Sequence, residues 1–168
     1  MALFSHEFNN LQDLFVHQLE DLYDAEHRLI EALPLMSEAA SSPDLKRAFD
    51  MHLQETEGHR ARLEEVFRKL GREPKRETCP AMQGLVKEGQ HMISAKGDAK
   101  VRDAGLIAAA QRVEHYEMAG YGAVRTYAKQ LGLQDIAQTL QQTLDEEGET
   151  DKKLTALAEG HINRESVQ

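Results

Sequence analysis

The chain of 168 residues has one cysteine, no tryptophan and four prolines. A single thiol cannot close an internal disulfide, and Cys79 belongs to no spacing of the kind that binds zinc or runs thiol redox chemistry, so it reads as structural. Basic residues are in the minority, with 20 Lys and Arg against 29 Asp and Glu, a net charge of −9 and a pI near 5.4. That balance argues against nucleic acid or an anionic membrane surface as a partner, both of which call for clustered positive charge, and favours cations as small partners. Also missing are a basic segment followed by an apolar leader and any apolar run near the ~18 residues of a membrane span. The expectation is a soluble, cytoplasmic protein with no nucleic-acid or membrane role.

What is present is helical periodicity. At 40% hydrophobic residues, the chain can build one domain, 1–168, with a sizeable core. Leu11, Phe15, Leu22, Leu29, Leu33 and Met36 recur at three- and four-residue spacing, which at ~3.6 residues per turn places them on one face of a helix A, about 8–39. Ser42 then offers a cap and Pro43 suits a first helical position. Helix B, about 43–70, carries Leu45, Phe49, Leu63, Val66 and Leu70, and Gly71 with Pro74 ends it. A crossover over 72–100 contains a short amphipathic helix between Pro80 and Gly97. Helix C, about 101–131, uses Leu106, Val113, Val124 and Leu131, with Gly132 as its stop; helix D, about 134–158, uses Ile136, Leu140, Leu144, Leu154 and Leu157.

Two short hairpin connections and one long crossover give the connectivity of an all-α, ferritin-like four-helix bundle. An internal repeat agrees: Leu22, Glu26, Leu33, Leu45, Phe49 and Leu63 match Val113, Glu117, Val124, Ile136, Leu140 and Leu154, each 91 positions later.

Acidic residues interrupt the apolar stripes. Glu26, Glu117 and Glu147 project within about 40° of their stripe centres, where leucines are expected. Burying one unpaired carboxylate costs several kcal/mol against a domain stability of roughly 5–15 kcal/mol, so such a set needs compensating positive charge. Counting outward from the loops puts Glu26 and Glu55, and Glu117 and Glu147, at one height. His59 and Asp151 each follow four residues behind Glu55 and Glu147, and Glu114 precedes Glu117 by three. The metal-ligand candidates are therefore Glu26, Glu55, His59, Glu114, Glu117, Glu147 and Asp151. Two divalent ions, iron or manganese, would neutralise four of these carboxylates and form a centre open to dioxygen or peroxide. The usual Glu-x-x-His spacing is absent: Glu55 and His59 are one residue too far apart, and helix D has Asp151 in place of histidine. His52 also faces the core, as hydrogen-bonded core histidines do. Tyr23, Tyr116 and Tyr121 read as core or interface residues.

The segments from His17 to Glu26, from His52 to Thr56, from Ala108 to Glu117 and from Leu144 to Asp151 together resemble the YciE/YciF stress-protein family over nearly the whole chain. The resemblance implies a ferritin-like bundle, cytoplasmic and dimeric, induced by general stress; it does not imply an established reaction, although the family is described as ferritin-like or as a presumed ferroxidase. Phe4, Phe8, Val16 and Ile30 are apolar positions available to such a homodimer. Two readings follow: a dimetal oxidoreductase consuming dioxygen or peroxide, and a non-catalytic helical stress or scaffolding protein with a degenerate metal site.

Overall fold

The computed structural model describes residues 7–167, all of whose regular elements are helical. They run α1 (Leu11–Ala39), α2 (Pro43–Lys69), α3 (Pro80–Ile93), α4 (Ala99–Gln130) and α5 (Gln134–Leu157), followed by a π-helical turn (Ala158–Ile162) and a last turn α6 (Asn163–Glu165). Helices α1 and α2 form one antiparallel hairpin and α4 and α5 the other; α1 packs on α4 and α2 on α5, while α3 lies across α1 and α4. Helix α5 ends at Leu157, and the chain continues directly into the π turn, placing Ala158 and Ile162 in the core.

Local chemistry sets the helix ends. The Asn10 side chain accepts from the Asp13 amide, which starts α1 three residues inside the span that periodicity suggests. Ser42 caps α2 through the Leu45 amide with Pro43 in its first turn. Gly132, at φ 76°, reverses the chain after α4 and lets the Leu133 amide reach the Ala128 carbonyl at 2.9 Å. Pro34 lies on the exposed side of α1, where the hydrogen bond it cannot donate is least costly.

Two buried carboxylates tie the connections down. Asp103 of α4 accepts from the Ser41 amide at 2.8 Å, the Ser41 hydroxyl at 2.7 Å and the Ser42 amide at 2.7 Å, fixing the first hairpin loop to the second hairpin. Asp24 of α1 accepts from Arg28 at 2.6 Å, Arg76 at 3.0 Å and the Cys79 amide at 2.9 Å, pinning the crossover along α1. Cys79 is a buried cap: its sulfur accepts from the Met82 amide and meets the Tyr116 hydroxyl at 3.0 Å.

The apolar core is divided. One cluster contains Leu29, Leu33, Leu45, Phe49, Leu106, Ile107 and Leu154; the other contains Phe15, Leu19, Leu22, Leu63, Phe67, Val124 and Leu140. Each such side chain removed from water contributes about 1.5–3 kcal/mol, so both ends of the bundle contribute hydrophobic stabilisation. Between them lies a polar layer. Gly120 permits the close approach of α1 and α4 there, since a Cβ would fall 2.8 Å from Leu22 Cδ2.

The apolar positions considered for a dimer are divided too. Val16 is buried within its own chain at 6% exposure, so it is withdrawn from that role, while Ile30 is half-buried and Phe8 is exposed and stacked near His17. Phe4 lies outside the described residues. Among those residues no helix is long and apolar enough to cross a membrane.

Candidate metal centre

The polar layer is made by all four long helices. Glu26 comes from α1, His52, Thr56 and His59 from α2, Glu114, Glu117 and Tyr121 from α4, and Glu147 and Thr150 from α5; all are buried. The side chains share the layer because each sits on the inward stripe of its helix at the height where the apolar clusters part. Donor atoms of His52, Glu114, Glu117 and Glu147 all lie within 4.8 Å of one another, and so do those of Glu26, His59 and Glu147. Glu147 belongs to both groups and sits between them.

Hydrogen bonding does not account for this arrangement. Among the described residues, buried side-chain atoms without a partner include one oxygen each of Glu26 and Glu114, both oxygens of Glu117 and Glu147, His52 Nε2 and His59 Nδ1; the rest are Nε atoms of Arg60, Arg102 and Arg125. His59 Nδ1 lies 2.9 Å from Glu147 and 3.7 Å from Glu26, and His52 Nε2 lies 3.2 Å from Glu114, close approaches that lack the alignment of hydrogen bonds. Buried polar atoms are almost always paired, and this convergent set of orphans could hold a cation.

Electrostatics tell the same story in protons. Burial drives the Glu26 carboxyl up to about 8 in spite of nearby His59, and Glu114 up to about 7 in spite of His52. Glu117 rises well above the carboxylate range, through burial and then repulsion from Glu26 and Glu147. Burial would lower His59, but Glu147 and Glu26 overcome it and lift the imidazole to about 9. His52 is raised as well, with Glu114 and Glu55 outweighing its burial. Glu147 resists its own burial and stays low because both imidazoles face it. In the absence of metal, the layer therefore collects protons where its geometry offers cation sites.

Two of the sequence candidates stand apart. Glu55 is on the rim, its side chain 28% exposed, accepting from Thr150 at 3.2 Å and Lys153 at 3.3 Å. Asp151 lies at the α4–α5 seam outside the layer, accepting from Gln111 at 3.0 Å beside His115. Glu26, His59, Glu114, Glu117 and Glu147 are brought together, and His52, which spacing presents as a core histidine, joins them. Tyr121 also takes part, donating its hydroxyl to Glu26 rather than merely filling space.

The repeat explains the displacement of Glu55. Gln130 ends α4 91 residues after Ala39 ends α1, and Gln134 starts α5 91 after Pro43 starts α2, so the two hairpins match at their turns. Under that shift Glu26 corresponds to Glu117, but Glu55 corresponds to Glu146, and the residue matching Glu147 is Thr56. Counting from the loops, which sets Glu55 beside Glu26 as Glu147 is set beside Glu117, makes Glu55 the equivalent of Glu147, one residue and roughly 100° off around the helix. The shift also matches His59 with Thr150. A Glu-x-x-His pattern is thus divided between two helices: α5 keeps the glutamate as Glu147 and α2 keeps the histidine as His59. The shift applied to Glu55 was the signal available in the sequence.

Comparison with known proteins places this geometry. Residues 10–167 match the family described as Domain of unknown function (DUF892). Protein YciF of Escherichia coli K12 is 44% identical over 157 residues, covering 93% of this chain and 95% of its own. The chain belongs to this family. The crystal structure of the E. coli stress protein YciF matches at a TM-score of 0.89, with 44% identity over 93% of this chain and 99% of that one. YcfI from Rhodopseudomonas palustris matches at 0.87, with 41% identity over 91% and 98%. A ferritin-like, diiron-carboxylate protein from Bacillus anthracis matches at 0.66, with 18% identity over 90% and 99%, a likeness of fold. The bundle is ferritin-like, and the chain is a YciE/YciF-type relative whose buried His and Glu groups could hold metal.

Proposed function

We propose that the protein is a non-haem dimetal oxidoreductase. The supporting observation is the convergence of unpartnered donor atoms from four buried carboxylates and two imidazoles on one layer of the bundle. Glu26, His59 and Glu147 would hold one divalent ion; His52, Glu114, Glu117 and Glu147 would hold the second. Four carboxylate charges balance two divalent ions, which removes the cost of keeping the anions dry. Oxygen and imidazole donors without thiolate suit iron first and manganese second. When bound, such ions supply electron transfer toward dioxygen or peroxide, with ferrous iron oxidised, the ferroxidase type of reaction.

The protein's own contribution is positional. Tyr121 fixes the orientation of Glu26 through its hydroxyl. The apolar clusters on either side keep bulk water from the carboxylates, so charge on the centre is felt at full strength. Glu147, set between the groups, can be shared by both ions. The same reading has the protein acting as a cytoplasmic homodimer in a stress response.

Protein purified without chelator should carry about two ions per chain and consume peroxide in an iron-dependent reaction. Replacing Glu117 with Gln should abolish both the second ion and the activity. The divided Glu-x-x-His pattern favours a second reading, a non-catalytic stress or scaffolding protein with a degenerate site. No iron-dependent peroxide consumption above that of free iron, together with a metal-free protein of undiminished stability, would support that reading instead.

A further inference from the structure

Each histidine of the polar layer presents one nitrogen inward and one to a rim carboxylate. His59 Nδ1 faces Glu26 and Glu147 without a partner, while its Nε2 lies 2.9 Å from Glu146. His52 is turned the other way: Nε2 faces Glu114 without a partner, and Nδ1 lies 3.5 Å from Glu55 and 3.4 Å from the Thr150 hydroxyl. Each rim carboxylate is gripped in turn by a cation of the other hairpin or across the layer. Arg62 makes two parallel bonds to Glu146, at 2.6 and 2.8 Å, and Lys153 reaches Glu55 at 3.3 Å. These pairs are copies of one another, for Glu146 and Lys153 lie 91 residues beyond Glu55 and Arg62. The contact of Thr150 with Glu55 at 3.2 Å is likewise the counterpart of His59 with Glu146.

We propose that Glu55 and Glu146 are positioning residues of the centre, each accepting the outer N–H of one histidine so that His52 binds metal through Nε2 and His59 through Nδ1. The inference rests on the dimetal reading and adds to it the outer-shell acceptors and the binding nitrogen of each ring. A neutral imidazole has one N–H and one lone pair, so anchoring the N–H on a fixed carboxylate aims the lone pair inward. Arg62 and Lys153 hold the acceptors in place and remain outside the layer. The two rim carboxylates are about equally exposed, at 28% and 29%, which keeps them charged and accessible to substitution without opening the core.

The test uses Zn(II), which is diamagnetic, as the probe ion. Long-range proton–nitrogen correlation spectra of the zinc-loaded protein should show His59 bound through Nδ1 and protonated at Nε2, and His52 with the roles reversed. Calorimetric titration should show Glu146→Ala weakening one zinc ion and Glu55→Ala weakening the other, each by ~10–100-fold. Glu146→Gln and Glu55→Gln, whose amide oxygens still accept, should restore most of the affinity, a rescue that a merely structural role would not produce. Binding of both ions at unchanged affinity in the Ala variants, or both rings bound through the same nitrogen type, overturns the proposal and leaves the dimetal reading standing. Absence of zinc binding by the unmodified protein overturns both.

Discussion

Tyr121 on α4 donates its hydroxyl to Glu26 on α1 inside a layer from which both side chains exclude water. Removing that hydroxyl in Tyr121→Phe leaves a buried Glu26 oxygen without a donor. The metal-free protein should lose about 1–3 kcal/mol in urea denaturation, with the slope against urea unchanged. A variant as stable as the parent would mean that Glu26 does not depend on this bond.

Stability of the metal-free protein should fall as pH rises. Glu26 and Glu114 keep their protons to about 8 and about 7 in the fold, against about 4.3 in an unfolded chain, and His59 keeps its proton to about 9 against about 6.5. Raised groups stabilise fully below their unfolded pKa, and that contribution is lost as pH climbs through the folded value. Between about pH 5 and 9 the folded state therefore binds more protons than the unfolded one. Urea midpoints in the presence of chelator should drop across this range, and divalent metal should flatten the curve by taking the place of the protons. A midpoint that climbs with pH under chelator would contradict this account of the layer.

Asp24 behaves in the opposite sense. Burial would raise its carboxyl, but the Cys79 amide, Arg28 and Arg76 outweigh burial and hold it low, so its contribution exists above its unfolded pKa and fades as pH falls. Asp24→Ala leaves the buried Cys79 amide without its acceptor and releases Arg28 and Arg76 to solvent, and should cost about 1–3 kcal/mol. Limited proteolysis should then cut within residues 72–79, where the crossover has lost its anchor. Resistance to cleavage equal to the parent's would refute the anchoring role.

Thr56 stands where the repeat has Glu147, wholly buried with its hydroxyl on the His52 carbonyl. Thr56→Glu restores Glu-x-x-His in α2 and adds a further buried carboxylate. Without metal the variant should lose several kcal/mol. With Mn(II) or Fe(II) it should gain more in Tm than the parent does. Equal metal-induced shifts in the two proteins would show that position 56 does not point at the ions.

The bundle was readable because apolar spacing, Ser42-Pro43 and Gly132 act locally, each within a turn or two of helix. The π turn after Leu157 was not, since the pattern that makes it buries only Ala158 and Ile162 and leaves no distinct period. At the site, Glu26, Glu117 and Glu147 announced themselves by sitting on stripe centres. Glu55 and Asp151 misled because a residue one step away from an inward position still falls near the stripe edge. Only packing decides which way such a side chain turns, and Glu55 turns out to Lys153. His52 was visible as an inward residue, but its role depends on three carboxylates from two other helices that no local pattern connects to it.

The two hairpins match in backbone yet have divided the donors between them. The N-terminal one supplies both imidazoles and a single inward carboxylate, Glu26, whereas the C-terminal one supplies Glu114, Glu117 and Glu147 and no imidazole. Neither half could rebuild the mixed set by self-association: paired with its own copy, the first would be rich in nitrogen and short of charge, the second a crowd of mutually repelling acids.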